Sequence, residues 1–186
     1  MIWVCVSDPF DVPRIAKEVI EQLTKKPSTA TGLESLMKEF RESITDKKFL
    51  LVLDDVWTTD YSKWLLLEQV LKLGKIGSSV VVTTRNEKVA KMVGDTNKIC
   101  VNKLTEEDCW LFLREIALSN RTEQVREDFD SIGRKIARKC NGLPLAVKTL
   151  GSFLRVKDIE DWHDMFTSEV WELKNVRQNI SYIILE

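Results

Sequence analysis

The stretch "KKFLLVLDDVWTT", residues 47 to 59, places five apolar residues, Phe49 to Leu53, directly before two adjacent carboxylates. An uninterrupted apolar run of this length is typical of a strand in a parallel sheet that helices cover on both faces. Asp54 and Asp55 follow at the carboxyl end of this strand, which is where parallel α/β sheets bind their ligands. The stretch therefore predicts both an α/β fold and a candidate ligand site.

Composition favours an ordinary globular protein. The 186 residues suffice for one sizeable domain, or for one domain plus a small second one. With 28 basic and 29 acidic side chains, no general attraction to nucleic acid or anionic membrane is expected. The N-terminus lacks the basic region of a signal peptide, and no apolar run reaches the roughly 18 residues of a membrane span. We expect a soluble protein of the cytoplasm without a transmembrane segment.

The four cysteines are far apart in the sequence and form no CxxC pair. Neither a zinc site nor a disulfide framework is therefore predicted. Three of the four lie within apolar patterns, which predicts small buried side chains in a reducing compartment. The cysteines are Cys5, Cys100, Cys109 and Cys140.

Strands and helices alternate through the first hundred residues. Helical spacing of apolar residues follows Asp11, which can cap a helix, and Thr31 with Glu34 predicts a capping box for the next one. Further helices are expected over Lys63 to Lys72 and after Asn86. Four βα repeats of this kind predict a doubly wound parallel sheet. Its strands are expected at Ile2 to Val6, Phe49 to Leu53, Val80 to Thr84 and, shorter, in "KICVNKL" at 98 to 104.

After Leu104 the pattern indicates helices only. Thr105 caps an acidic first turn, which suits the helix dipole. Apolar spacing from Val125 to Cys140 predicts one continuous helix that ends at Asn141 and Gly142. Pro144 suits the first position of the next helix. A last helix is lined by Trp162, Phe166 and Val170, so a small helical domain is expected to follow the sheet.

Polar residues cluster at the predicted strand ends. Two adjacent carboxylates repel each other unless a cation or hydrogen-bond donors offset their charge. A carboxylate after an apolar strand commonly holds Mg²⁺ in nucleotide-hydrolysing folds, a neighbouring acid can position the attacking water, and an arginine can bind a terminal phosphate. Ser7 and Asp8 are also explained as helix-cap and turn residues. The three clusters are Ser7 with Asp8, Asp54 with Asp55, and Thr83, Thr84 and Arg85.

Two classes of protein place acids after a strand in this way. Nucleotide hydrolysis needs a phosphate-binding loop of the form GxxxxGK[ST], and this sequence contains none. Phosphoacceptor receiver domains need a further aspartate at the end of the next strand, where this sequence has Thr83, Thr84 and Arg85. That departure disfavours the receiver interpretation.

Five ordered motifs together resemble the NB-ARC module of plant intracellular immune receptors of the nucleotide-binding, leucine-rich-repeat type. The resemblance implies a partial P-loop NTPase of the STAND class, with a doubly wound parallel sheet followed by a small helical subdomain, ARC1. Trp57, which closes "LDDVW", is similar to the coiled-coil class of these receptors. The motifs are "WVCVS" at 3–7, "KKFLLVLDDVW" at 47–57, "GSSVVVTTR" at 77–85, "KLTEEDCWLFL" at 103–113 and "CNGLPLAVKTLG" at 140–151.

The resemblance also implies roles for individual residues. Asp54 would hold Mg²⁺ and Asp55 would position the attacking water as the catalytic residue. Thr84 and Arg85 would contact the nucleotide, Arg85 by sensing its terminal phosphate, and Pro144 would pack against adenine. The implied protein is a switch that holds ADP at rest, exchanges it for ATP and resets by slow hydrolysis. Its implied partners are the adenine nucleotide and the other domains of the receptor, or full-length receptors.

By the same resemblance, residues 1–103 form a partial nucleotide-binding domain, 104–174 the ARC1 subdomain and 175–186 the start of ARC2. The family's phosphate loop and its strand are expected before Met1, with that strand in the middle of the sheet. We therefore expect this chain alone to be poorly folded or prone to aggregation through unpaired strands. The alternative function is that of an interaction-only remnant, which no longer binds nucleotide and pairs with full-length receptors.

Overall fold

The computed structural model describes residues 1–6, 9–94 and 97–168. The chain divides into two compact units, Met1–Ile99 and Cys100–Glu186. The first unit is a parallel sheet with helices, and the described part of the second is helical. The predicted segment 175–186 lies outside the described residues. Within the described part, no helix combines the length and the apolarity that crossing a membrane requires.

Strands and helices alternate in the first unit and give way to helices alone in the second. The first unit contains β1 (Ile2–Cys5), α1 (Val12–Thr24), α2 (Leu33–Ile44), β2 (Leu50–Asp54), α3 (Tyr61–Leu71), β3 (Ser79–Val82) and α4 (Glu87–Val93). The second contains α5 (Glu106–Leu118), α6 (Glu123–Asp128), α7 (Asp130–Lys139), α8 (Pro144–Leu154) and α9 (Ile159–Thr167).

The sheet confirms the parallel α/β prediction. Its three strands lie in the order β1-β2-β3, and Leu53 in the central strand pairs with Val4 on one side and Val82 on the other. Because parallel crossovers are almost always right-handed, two successive steps in one direction place the connecting helices on the same face. Leu53 and Val4 are accordingly buried in one core with residues of α1, α2 and α3, while Trp3 and Val81 on the other face are about half exposed.

The prediction of a fourth strand at residues 98–104 was wrong. These residues form no strand, and the side chains of Ile99 and Val101 are 88% and 95% exposed. A strand is stabilised by backbone pairing and by burial of one face, and no described strand pairs with the outer edge of β3. Apolar, β-branched composition therefore did not suffice to form a strand here.

Helix caps agree with the sequence at three of four predicted positions. Asp11, Asn86 and Thr105 each accept a hydrogen bond from a backbone N–H of the first turn. The predicted capping box of Thr31 was wrong, because α2 begins one residue later and its cap is Gly32. Gly32 has a φ of 94° and offers no side chain, so α2 begins without a side-chain cap.

The single helix predicted from Val125 to Cys140 was also wrong. The chain forms two helices there, α6 and α7, which meet at Phe129. The predicted stop at Asn141 and Gly142 is confirmed, because both residues have positive φ, 51° and 75°. Val170, predicted to line the last helix, lies outside the described residues.

Only two of the cysteines behave as buried apolar residues. Cys109 and Cys140 are buried in the helical core, where burial raises the pKa of the Cys140 thiol to about 12. Cys5 and Cys100 are exposed, so the prediction of three buried cysteines was wrong. Cys5 lies on the uncovered face of the sheet and Cys100 in the segment that forms no strand.

The outer edge of β1 is closed by side chains of α1. Gln22 mimics a neighbouring strand, since its Oε1 accepts from the Trp3 N–H at 3.0 Å and its Nε2 donates to the Trp3 carbonyl at 2.8 Å. Arg14 Nη2 donates to the Cys5 carbonyl at 3.0 Å. An edge strand with unpaired backbone groups is a template for pairing with another chain. The amide of Gln22 thus protects this edge from strand addition.

Replacing Gln22 by alanine is expected to increase self-association, because the Trp3 N–H and carbonyl become available to a second copy. We expect the associated fraction in sedimentation velocity to rise about twofold or more above wild type, each uncovered hydrogen bond being worth about 1 kcal/mol. Gln124→Ala, at an exposed glutamine of α6, serves as the matched control. Equal association of Gln22→Ala and wild type would contradict the edge-closing role.

The core of the helical unit depends on a glycine beneath a tryptophan. A Cβ atom on Gly133 of α7 would lie 2.1 Å from Cζ3 of Trp110 in α5. The Trp110 ring is 1% exposed, and its Nε1 donates to Asp130 Oδ1 at 2.9 Å. Because the ring is fixed by packing and by this hydrogen bond, α5 and α7 approach closely only when residue 133 has no side chain.

Gly133→Ala is therefore expected to destabilise the helical unit. Overpacking costs about 1–3 kcal/mol, which exceeds the gain of about 1 kcal/mol from removing glycine from a helix. Urea unfolding followed by tryptophan fluorescence should show a lower midpoint for this variant. Ser131→Ala, at an exposed position of the same helix, should leave the midpoint nearly unchanged. A midpoint for Gly133→Ala at or above that of wild type would show that the Trp110 ring can move to accommodate the methyl group, and would contradict the prediction.

Candidate functional site

The two predicted acids lie at the carboxyl end of β2, where Thr83 fixes both of them. The Thr83 hydroxyl donates to Asp54 Oδ1 at 2.6 Å and accepts from the backbone N–H of Asp55 at 2.8 Å. The Thr83 carbonyl accepts from the N–H of Val56 at 2.9 Å. One residue of the segment after β3 thus orients the Asp54 carboxylate and holds the backbone of the acid pair.

Thr84 adds a second tie between the same two loops. Its hydroxyl donates to the Val56 carbonyl at 2.7 Å and accepts from the N–H of Asn86 at 3.0 Å. Val56 itself is fully buried. The loops that follow β2 and β3 therefore form one connected structure, which fixes the position of residues on either side of it.

Asp55, Arg85 and Trp57 form a contact group on this structure, which we call the arginine clasp. Arg85 Nη2 lies 3.5 Å from Asp55 Oδ1, and its guanidinium carbon lies 4.5 Å from the centre of the Trp57 ring. Asp55 has a φ of 57°, a left-handed conformation that aspartate adopts more readily than most residues. All three side chains remain partly open to solvent, so they can contact a ligand.

The acids fit a magnesium ion that is bound together with phosphate. Mg²⁺ is usually held by one or two carboxylates, with phosphate oxygens and water completing its coordination. A carboxylate accepts about four hydrogen bonds, so the single bond from Thr83 leaves Asp54 with capacity for a metal. Within residues 1–6, 9–94 and 97–168 no group of three or more potential ligands from His, Cys, Asp and Glu occurs. Asp54 is therefore a residue that could hold Mg²⁺ at this edge of the sheet.

Four of the predicted site residues come together at this edge of the sheet. Asp54, Asp55, Thr84 and Arg85 all lie in the two connected loops. Pro144 opens α8 in the second unit, as the sequence predicts, and is exposed. The ligand roles of these five residues stay predictions. The remaining candidates, Ser7 and Asp8, lie outside the described residues.

The sequence did not single out Thr83 or the structural role of Trp57. The sequence places Thr83 only in a polar cluster, although its position directly after β3 and opposite Asp54 is a usable signal. For Trp57 the sequence indicates only the receptor class. Its contact with Arg85 depends on how the two loops fold, and no spacing rule in the sequence predicts it.

The fold and the site together define a class of protein. Parallel α/β sheets bind ligands at the carboxyl ends of their strands, and nucleotide-binding proteins are one class that places acids there. The family model described as "NB-ARC domain" matches residues 1–123. The chain therefore belongs to the NB-ARC family, whose domain is a P-loop NTPase of the STAND class.

Curated relatives agree with this assignment along nearly the whole chain. Disease resistance protein RGA2 of Solanum bulbocastanum is 39% identical over 181 residues, covering 96% of this chain and 19% of its own length. Putative disease resistance protein RGA1 of the same species is 38% identical over 180 residues, covering 96% and 18%. Putative disease resistance RPP13-like protein 1 of Arabidopsis thaliana is 34% identical over 182 residues, covering 96% and 17%. The chain thus spans about a fifth of the length of these relatives.

Thr83→Val should loosen the acid pair, because valine keeps the shape of threonine but can neither donate to Asp54 nor accept from Asp55. Losing the two hydrogen bonds at this partly solvated position is expected to cost about 1–2 kcal/mol. Amide hydrogen exchange at Asp55 should accelerate about tenfold, whereas Thr83→Ser, which keeps the hydroxyl, should stay near wild type. An unchanged rate of amide hydrogen exchange at Asp55 in Thr83→Val would contradict the hydrogen bond from Asp55 to the Thr83 hydroxyl.

Proposed function

We propose that this chain is a part of the nucleotide-binding module of a plant intracellular immune receptor, a module that binds ADP and ATP with Mg²⁺ as a molecular switch. Membership of the NB-ARC family supports a nucleotide-binding role. The relatives are named as disease resistance proteins, which supports the biological setting. The observation that carries the proposal is the Asp54 carboxylate, oriented by Thr83 at the end of β2 and next to the pair of Asp55 and Arg85.

Each residue at the sheet edge has a distinct proposed task. Asp54 would hold Mg²⁺, which, when bound, neutralises charge on the nucleotide phosphates. Asp55 would orient a water molecule toward the terminal phosphate, because its carboxylate can accept a hydrogen bond from the water O–H. Arg85 would bind the terminal phosphate through charge-assisted hydrogen bonds. Thr84 would contact the nucleotide, and its hydroxyl would also keep Val56 and Asn86 in place.

Pro144 is proposed to pack against the adenine ring. The residue occupies the first turn of α8, where its missing N–H leaves no donor unsatisfied. Its exposed, apolar ring can cover one face of a base without competing for hydrogen bonds. The side chain has a fixed φ, so little conformational entropy is lost when it binds.

The switch would act through exchange of ADP for ATP, with slow hydrolysis returning it to rest. Other domains of the receptor, or full-length receptors, are the proposed partners. The proposed location is the cytoplasm.

A titration of the purified chain with a fluorescent ADP, with and without Mg²⁺, tests the proposal. We expect Mg²⁺-dependent binding that Asp54→Asn weakens about tenfold or more, equivalent to about 1.4 kcal/mol. Glu42→Gln removes the same charge from an exposed position of α2 and should bind as wild type does.

The outcomes separate the competing functions. Binding that Mg²⁺ does not affect would contradict the role of Asp54. A chain that is folded by circular dichroism and does not bind ADP under either condition would favour the interaction-only remnant. Binding with full Mg²⁺ dependence would exclude that alternative.

A further inference from the structure

The arginine clasp contains a residue that the proposed function does not use. Trp57 lies two positions after Asp55 in the loop that Thr83 and Thr84 fix. The guanidinium carbon of Arg85 lies 4.5 Å from the centre of the Trp57 ring, and Trp57 is 40% exposed. The ring does not belong to the buried core, which the adjacent Val56 joins instead, so its contact with Arg85 is the interaction that the structure shows for it.

We propose that Trp57 is a positioning residue, which holds the Arg85 guanidinium beside Asp55 until a phosphate group takes Arg85 and releases Asp55. The inference rests on the proposed function, since the ligand that competes with Asp55 is the terminal phosphate of the nucleotide. It goes beyond that function because it couples the two residues: Arg85 and Asp55 neutralise each other in the absence of ligand and become available together.

The contacts of Arg85 with Trp57 and Asp55 are weak enough for a phosphate to replace them. A guanidinium lies flat on an indole face through the negative potential of the ring, and this contact leaves its edge N–H groups available to an acceptor. The Asp55 carboxylate lies 3.5 Å from Arg85 Nη2, which is within the limit of about 4 Å for an ion pair but longer than a usual hydrogen bond. Arg85 is 58% exposed on its side chain, so water screens the pair and a phosphate can displace the carboxylate.

A phosphate is the stronger partner for Arg85. It presents more than one oxygen in the spacing that the guanidinium fork matches, and it carries more charge than one carboxylate. The loops need not move for the exchange, since Val56 stays tied to Thr83 and Thr84 through backbone and hydroxyl bonds. Only the Arg85 side chain has to leave the ring, after which Asp55 can accept from water.

Fluorine NMR of the chain labelled with 5-fluorotryptophan tests whether Trp57 contacts Arg85 in the absence of nucleotide. The chain has six tryptophans, and Trp57→Phe assigns the Trp57 resonance. Arg85→Gln removes the cation and should shift that resonance, while Arg85→Lys, which keeps a cation, should shift it less. Arg155→Gln, at an exposed arginine of the helical unit, should leave it unmoved. The same Trp57 shift in wild type and Arg85→Gln would overturn the positioning role.

Addition of ATP with Mg²⁺ tests the exchange. The Trp57 resonance should move in the direction produced by Arg85→Gln, ADP should move it less, and neither nucleotide should move it in Arg85→Gln. Nucleotide binding that leaves the wild-type resonance in place would overturn the exchange. If neither nucleotide binds, the proposed function and the exchange both fail, while the ligand-free comparison still decides whether Trp57 positions Arg85.

A binding comparison separates positioning from mere structure. Trp57→Leu should raise the preference for ATP over ADP by about twofold to fivefold, because the exposed cation–π contact that the terminal phosphate has to break is then absent. Trp57→Tyr keeps an aromatic face and should show a preference close to that of wild type. Trp3→Leu removes an exposed tryptophan from the uncovered sheet face and should not alter it. Equal preferences in Trp57→Leu and wild type would contradict the proposal.

Discussion

The parallel pairing of β2 with both neighbours is the constraint on which the rest of the first unit depends. Leu53 is buried between Val4 and Val82, and this register brings the ends of β2 and β3 side by side. Thr83 can bond to Asp54 and Asp55 only because of that alignment. A register shift of one residue would reverse the faces of the strand and separate these groups. The core and the candidate site therefore share a single origin.

The site combines strong local ties with weak, reversible contacts. Backbone and hydroxyl bonds fix the two loops, while the contact of Arg85 with Asp55 and Trp57 is largely exposed. Surface ion pairs and cation–π contacts contribute about 1 kcal/mol or less each. A rigid frame with weakly held charged groups suits the binding of a phosphate, because the frame keeps its geometry while the side chains exchange partners.

Sequence reasoning succeeded where the pattern depends on nearby residues. The buried strand before Asp54, the caps at Asp11, Asn86 and Thr105, and the stop at Asn141 follow from local composition and spacing. It was wrong where the outcome depends on a neighbour. The β-rich residues 98–104 have the composition of a strand but no partner strand among the described residues. The long apolar repeat from Val125 bends at Phe129, which packs edge-on against Trp162 at 4.9 Å.

The sequence by itself determined the fold class, the family and the acids at the end of β2, because these follow from short-range patterns of polarity and motif order. Only the tertiary structure decided which strands pair, which cysteines are buried, and how Thr83 and Trp57 reach Asp54 and Arg85. The physical reason is sequence distance. Thr83 lies 29 positions from Asp54, and only the parallel pairing of β2 and β3 brings the two side chains within hydrogen-bonding range.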